Sequence, residues 1–213
     1  MKFYDCSTAP SPRRVRIFIA EKKIDIHTVE VDLRNGEHLG EAFRRINPWC
    51  TVPVLELDNG TTISEAVAIC RYLEETCPDP PLMGMDGRDR AVVAMWEHRF
   101  EIDGFLAVTE AFRNATKGLA GRAVTGPNNI AQIPELAQRG RTRVEHFFAA
   151  LNTQLEGQPF VAGEHYTIAD ITAQVAVDFA SWIKMSLPPE HAHAVDWYQR
   201  VSTRPSCLLY TSP

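Results

Sequence analysis

Hydrophobic positions change their spacing partway along the chain. Before about residue 78, short apolar runs alternate with helical patterns; after it, every pattern has the helical period. Phe3 and Tyr4 predict a short first strand. Ser11-Pro12 opens a helix over 11–23, with Val15, Ile17, Phe18, Ile19 and Ala20 as its apolar side and proline at a favoured first helical position. A second strand is expected over 27–33 and a helix over 39–46, stopped by Asn47-Pro48. Residues 54–57 and 61–63, joined by Asp58-Asn59-Gly60, form a hairpin, and a helix over 65–76 ends before Pro78. The order βαβ, α, ββα is a small mixed sheet with helices whose first unit makes a parallel pair.

A proline-rich connector, Cys77-Pro78-Asp79-Pro80-Pro81, precedes the change of pattern. One long helical pattern, containing Gly104, covers 90–115. A loop rich in Gly, Pro and Asn over 118–134 leads to a helix carrying Val144, Phe147, Phe148, Leu151 and Leu155. Thr167-Ile168-Ala169-Asp170 has the spacing of a capping box. The helix it opens is apolar nearly all round, as expected of a buried spine. Pro188-Pro189 starts a last helix that ends before Arg204-Pro205. The fold class is therefore α/β plus all-α: a mixed domain over 1–78, a linker over 79–88 and a helical bundle over 89–206. The tail 207–213 breaks the amphipathic pattern and looks like a translated sequencing-library adapter, so it is left out of the fold expectation.

Composition narrows the class. Hydrophobic content of 45% and charged content of 23% are ordinary for a globular chain, and a formal charge of −5 disfavours nucleic acid or an anionic membrane as partner. The longest apolar run falls short of a membrane span, and the pattern starts at Met1 without a leader, so a cytoplasmic protein is expected. Five cysteines (Cys6, Cys50, Cys70, Cys77 and Cys207) show no metal or disulfide spacing, which fits free thiols in a reducing compartment and no zinc site. His191 and His193, two apart, do not share a helix face.

The chemistry concentrates ahead of the hairpin. Pro53 precedes an apolar strand, where a residue without an N–H belongs at a strand start or edge. In the cis form, Val52-Pro53 would turn the Val52 main chain outward, free to pair with an extended peptide as an added strand. Glu65, at the next helix start, would offer a carboxylate beside unpaired N–H groups, suited to a zwitterion. The alternatives are a trans strand-start proline and a solvated first-turn acid.

With Thr8-Ala9-Pro10-Ser11-Pro12-Arg13-Arg14-Val15-Arg16-Ile17, Glu65-Ala66-Val67-Ala68-Ile69-Cys70-Arg71-Tyr72-Leu73-Glu74, and Phe160-Val161-Ala162-Gly163 followed by Ile168-Ala169-Asp170-Ile171-Thr172, the chain resembles the cytosolic glutathione S-transferases, and within them a bacterial and fungal subgroup. The likeness spans residues 1–206. It implies a thioredoxin-like domain joined to a helical one, a homodimer, and glutathione as co-substrate without metal. The activity implied is conjugation of the glutathione thiolate to small apolar electrophiles, a detoxification chemistry. A glutathione-dependent peroxidase or disulfide reductase, or a non-catalytic binding protein of this fold, would share the features.

By the same resemblance, Val52 pairs with the cysteinyl unit, Pro53 holds the cis turn, and Glu65 meets the γ-glutamyl ammonium. The family commonly has serine next; here Ala66 stands in its place. Ser64 is expected to cap the helix instead, and glutathione binding should be weaker. His38 matches a position used near the glycine carboxylate, or is a surface histidine; Thr51 could add a hydroxyl. For the thiolate-stabilising group, counting back from Arg14-Val15-Arg16 lands on Ala9, whereas the order Ala-Pro-hydroxyl-Pro lands on Ser11. Ser7 and Thr8 share the loop, and Ser11 could equally be a plain N-cap. Arg13 could act by charge or be solvated. Phe105 and Phe112 are candidates for the electrophile pocket, with the loop 118–134 as its cover.

Overall fold

The alternating first segment closes into a four-stranded sheet; the computed structural model describes residues 1–208. β1 (Lys2–Asp5) runs parallel to β2 (His27–Glu30) and antiparallel to β3 (Val54–Glu56). β4 (Thr62–Ser64) completes the order β2-β1-β3-β4. Side chains alternate across the pleat, so one register feeds two cores. Phe3 and Leu55, opposite one another, pack with α1 (Pro10–Glu21) and α3 (Ala66–Thr76). Tyr4 and Val54 face the other way, with Val31 and with Phe43 of α2 (Glu41–Ile46).

Within the sheet domain, the boundaries that bear on the site depart from the sequence expectation for local reasons. β2 stops at Glu30 because Asp32 captures the chain in a turn, its carboxylate accepting from the Asn35 N–H at 3.0 Å. Helix α1 starts at Pro10 with Ala9 as N-cap, so Ser11 lies inside the first turn and is no cap. Ser64 pairs with Val54 in the hairpin and does not cap α3; Glu65 occupies that position without a side-chain bond.

The second half is helical. α4 (Gly87–Phe100) continues through a π turn, Glu101–Phe105, into α5 (Leu106–Ala115). Gly104 is required there: a Cβ on it would lie 2.9 Å from the Phe147 ring on α6 (Pro134–Gln154). Every residue of α7 (Ile168–Ala180) is buried except Asp178, which makes α7 the spine against which α1 and α4 pack. The capping box at its start is formed, Asp170 accepting from the Thr167 N–H at 2.9 Å. α8 (Ala192–Ser202) begins later than Pro188 because the His191 N–H closes a turn on the Pro188 carbonyl. A short α9 (Pro205–Leu208) follows, and Cys207 is buried with its Sγ 3.2 Å from Gln174 Oε1. The first two residues of the excluded tail therefore belong to the fold, while 209–213 lie outside the described residues. Among the described residues, no helix is long and apolar enough to cross a membrane.

Candidate active site

A cleft of about 720 Å³ opens between the sheet domain and the helical domain. Its sheet-side wall is built on the turn ahead of β3. Val52-Pro53 is cis, and the Val52 main chain has no hydrogen-bond partner among the described residues. Buried Asn47 holds this turn, donating to the Thr51 carbonyl at 2.8 Å and to its hydroxyl at 3.1 Å. Thr51 and Val52 thus line the cleft in a fixed position.

Glu65 lines the same wall with φ 72° and ψ 125°, a region that costs a residue with a Cβ on the order of 1–3 kcal/mol. It has no ion-pair partner among the described residues. The first-turn N–H groups of α3, beginning at Ala66, are left without helical acceptors beside that carboxylate. Ala66 is buried and supplies only its main chain.

The start of α1 supplies the third element. Pro10 and Pro12 have no N–H, the Ala9 N–H is spent on the Cys6 carbonyl, and the Arg13 N–H reaches Ala9. Ser11 therefore provides the one unspent main-chain donor of this turn, together with a hydroxyl. Arg14 Nη2 donates to the Ser11 Oγ at 3.3 Å, which fills a lone pair and leaves the hydroxyl proton for another acceptor. Ser11 and Arg14 both line the cleft. Arg16 fixes the loop that leads here, bonding Asp5 at 2.6 Å and the carbonyls of Cys6 at 3.0 Å and Ser7 at 2.8 Å.

Of the other loop candidates, Thr8 also lines the cleft and Ser7 does not. Ser7 gives both its N–H and its hydroxyl to Glu30, and it lines a different cavity of about 600 Å³ behind the loop. The Thr8 hydroxyl lies 3.5 Å from the buried Cys6 thiol. Arg13 is neither solvated nor directed at the cleft: it pairs with Asp178 at 2.5 Å across the domain boundary. Its neighbour Arg14, which the sequence reading passed over, is the buried cation of the site. It stacks 4.3 Å from the Phe105 ring centre and bonds Glu101 at 2.8 Å, with Glu97 at 4.0 Å. Burial, with the neighbouring Glu101 charge, pushes the Glu97 carboxyl up to about 7 against the pull of Arg14.

The helical wall is aromatic. Phe105 and Phe112 both line the cleft and converge on Phe179, with ring centres 5.7 and 5.6 Å away. Trp182, half exposed, closes the cluster 5.2 Å from Phe112. The loop over 118–134 reaches the sheet-side wall, where a Cβ on buried Gly126 would lie 3.5 Å from the Trp49 carbonyl. His38 is half-buried in the cleft lining, and its Nδ1 has no partner. Burial, then the charges of Arg122 and Arg113, hold its imidazole below the usual value. Trp182 and the two arginines carried no sequence signal, because each acquires its place from long-range packing. Among the described residues there is no cluster of His, Cys, Asp and Glu that could hold a metal.

The arrangement joins a main-chain edge, a carboxylate at a helix start, a hydroxyl at a second helix start and an aromatic wall around one volume. Comparison with known proteins matches this chain to the glutathione S-transferase N-terminal domain over residues 8–76 and to the C-terminal domain over 105–205. Glutathione S-transferase 2 of Saccharomyces cerevisiae is 36% identical over 97% of this chain and 87% of its own. A crystal structure of a glutathione S-transferase domain-containing protein from Marinobacter aquaeolei superposes with a TM-score of 0.90 at 39% identity, over 97% of this chain and all of that one. The crystal structure of Gtt2 from Saccharomyces cerevisiae gives 0.91 at 34% identity, over 99% of this chain and 100% of that one.

Proposed function

Because the chain belongs to the glutathione S-transferase family, we propose that it conjugates the glutathione thiolate to small, largely apolar electrophiles. The observation that carries this is the shared cleft. The Val52 main chain, Glu65, Ser11 and the Phe105–Phe112 wall all border it. In this reading residues 1–78 bind glutathione, 79–88 link, and 89–206 hold the second substrate. Val52 pairs with the cysteinyl unit, Pro53 sets the turn, and Glu65 meets the α-ammonium. The main-chain donors from Ala66 onward take the γ-glutamyl carboxylate. Thr51 and His38 flank the glycyl end.

The sulfur then points at the start of α1. A free thiol has a pKa of about 8.5, and only its anion attacks. Lowering it by about 2 units needs roughly 2.7 kcal/mol of differential stabilisation. A helix start gives ~0.3–1 kcal/mol, or ~2 when partly buried. A hydroxyl donated to an anion gives ~1.5–3 kcal/mol, so the Ser11 hydroxyl and its helix start suffice together. Attack forms a carbon–sulfur bond. In displacement the leaving group departs with its electron pair; in addition the new carbanion takes a proton from solvent.

The same resemblance supports a bacterial cytoplasmic homodimer working in detoxification. Retention on immobilised glutathione, followed by the ultraviolet absorbance of bound thiolate as pH varies, tests the core of the reading. A retained protein whose bound thiol titrates near the free value would count against transferase chemistry.

A further inference from the structure

The aromatic wall of the cleft ends in positive charge. Phe105, Thr109, Phe112 and Arg113 follow one another along the π turn and α5, and all line the cleft. Arg113 stands eight residues beyond Phe105, roughly 12 Å further along a helix. Arg122, on the covering loop, lines the cleft beside it.

Neither guanidinium meets a carboxylate among the described residues. Arg113 Nη2 donates to the carbonyls of Arg122 and Val124, at 2.5 and 3.4 Å. Arg122 Nη2 donates to the Gly126 carbonyl at 2.8 Å. Carbonyls fix the orientation of these groups without cancelling their charge. Arg113 Nε and His38 Nδ1 remain buried and unpartnered. Burial and the Arg122 charge weaken the hold of Arg113 on its proton, the mark of like charges kept together. None of the cleft's acids pairs with either arginine: Glu101 is held by Arg14, Glu30 accepts from Ser7, Asp32 accepts from Asn35, and Glu65 forms no ion pair among the described residues. Two planar cations without a counter-ion, at the end of an apolar surface, match an amphiphilic acid: an aryl or alkyl body with a carboxylate at its far end.

Resting on the glutathione transferase reading, we propose that the electrophiles this cleft selects carry a carboxylate, bound by Arg113 and Arg122 while the apolar body lies along Phe105 and Phe112. Glutathione has a carboxylate of its own at the glycyl end, near His38, and it is the competing occupant. Arg113 stands on α5, continuous with the Phe105–Phe112 surface, and draws Arg122 of the covering loop to that end through its bond to the Arg122 carbonyl, which favours the second substrate.

Calorimetric titration of S-(ω-carboxyalkyl)glutathiones against S-alkylglutathiones of equal length tests this without requiring turnover. The acid should win by about ten- to hundred-fold at one chain length and not at shorter ones. Arg122→Gln and Arg113→Gln should each erode that preference and leave the S-alkyl compounds unchanged. Arg113→Lys, which keeps the charge, should retain part of it. No acid preference at any length in the unaltered protein overturns the proposal. So do variants that weaken every ligand alike, including unsubstituted glutathione, while binding its glycyl ethyl ester normally; the pair would then serve the glycyl end. Failure of all S-alkylglutathiones to bind would instead sink the glutathione reading itself, and the proposal with it.

Discussion

Replacing Ser11 with alanine isolates the hydroxyl's share of thiolate stabilisation. Pro10 and Pro12 strip the first turn of α1 of N–H groups, so the helix contribution arrives through the Ser11 N–H, which alanine keeps. Arg14 loses one long bond of 3.3 Å but stays held by Glu101 at 2.8 Å. The variant should therefore forfeit only the hydroxyl, ~1.5–3 kcal/mol, equivalent to about 1–2 pKa units. A bound thiol titrating near pH ~6.5 would then titrate near ~8. Its raised pKa means less thiolate at neutral pH, so the conjugation rate near pH ~7 should drop by about ten-fold and recover as pH rises. Absorbance of the bound thiolate against pH reads the shift directly, and glutathione affinity measured alongside shows that the site is intact. An unchanged pKa in a variant that still binds glutathione would refute the assignment of Ser11 and leave its N–H, the Thr8 hydroxyl in the cleft lining or a fixed water as the donor.

Ala66→Ser places a hydroxyl where the proposed binding mode puts the γ-glutamyl carboxylate. It should tighten glutathione binding by about ten- to hundred-fold by calorimetry; no gain would mean the main-chain donors of α3 already satisfy that carboxylate. Glu97→Gln tests the buried acid whose carboxyl stands at about 7. Between pH ~4.5 and ~7 the unfolded chain ionises Glu97 and the folded chain does not, so its linkage lowers stability by about 3 kcal/mol as pH rises. Urea unfolding of Glu97→Gln should show a flatter fall across that window than the unaltered protein, and equal slopes would contradict the burial argument. Gly140→Ala puts a Cβ 2.6 Å from the Ala111 nitrogen and 2.8 Å from the Ala107 carbonyl, forcing α6 away from α5. It should cost about 1–3 kcal/mol in the same unfolding assay and disturb electrophile binding more than glutathione binding.

What could be read in the sequence is what local chemistry decides. Pro53 before an apolar strand, Asp58-Asn59-Gly60 between two short runs, and Asp170 three residues after Thr167 each constrain their own neighbourhood, and the structure has the hairpin and the capping box there. The arginines of α1 were not legible. Arg13, Arg14 and Arg16 differ only in helical phase, yet they find Asp178, Glu101 and Asp5, two of them in the other domain. Phase around a helix is fixed by the surface it packs on, which a single sequence does not display. The choice between Ala9 and Ser11 stayed open for a similar reason. Moving the helix start from Ser11 to Pro10 turned Ser11 from a cap into a first-turn donor, a shift within ordinary boundary error.

Two prolines in the first turn of α1 also bear on how a reaction cycle ends. With Pro10 and Pro12 silent, the proposed attraction for sulfur at this helix start would rest on the Ser11 N–H and O–H. Those donors reward an anion and offer little to a thioether, so the grip on sulfur lapses when its charge is consumed. On the proposed reading, release of the conjugate would follow from formation of the carbon–sulfur bond, with the two prolines limiting how much of the helix start holds the product.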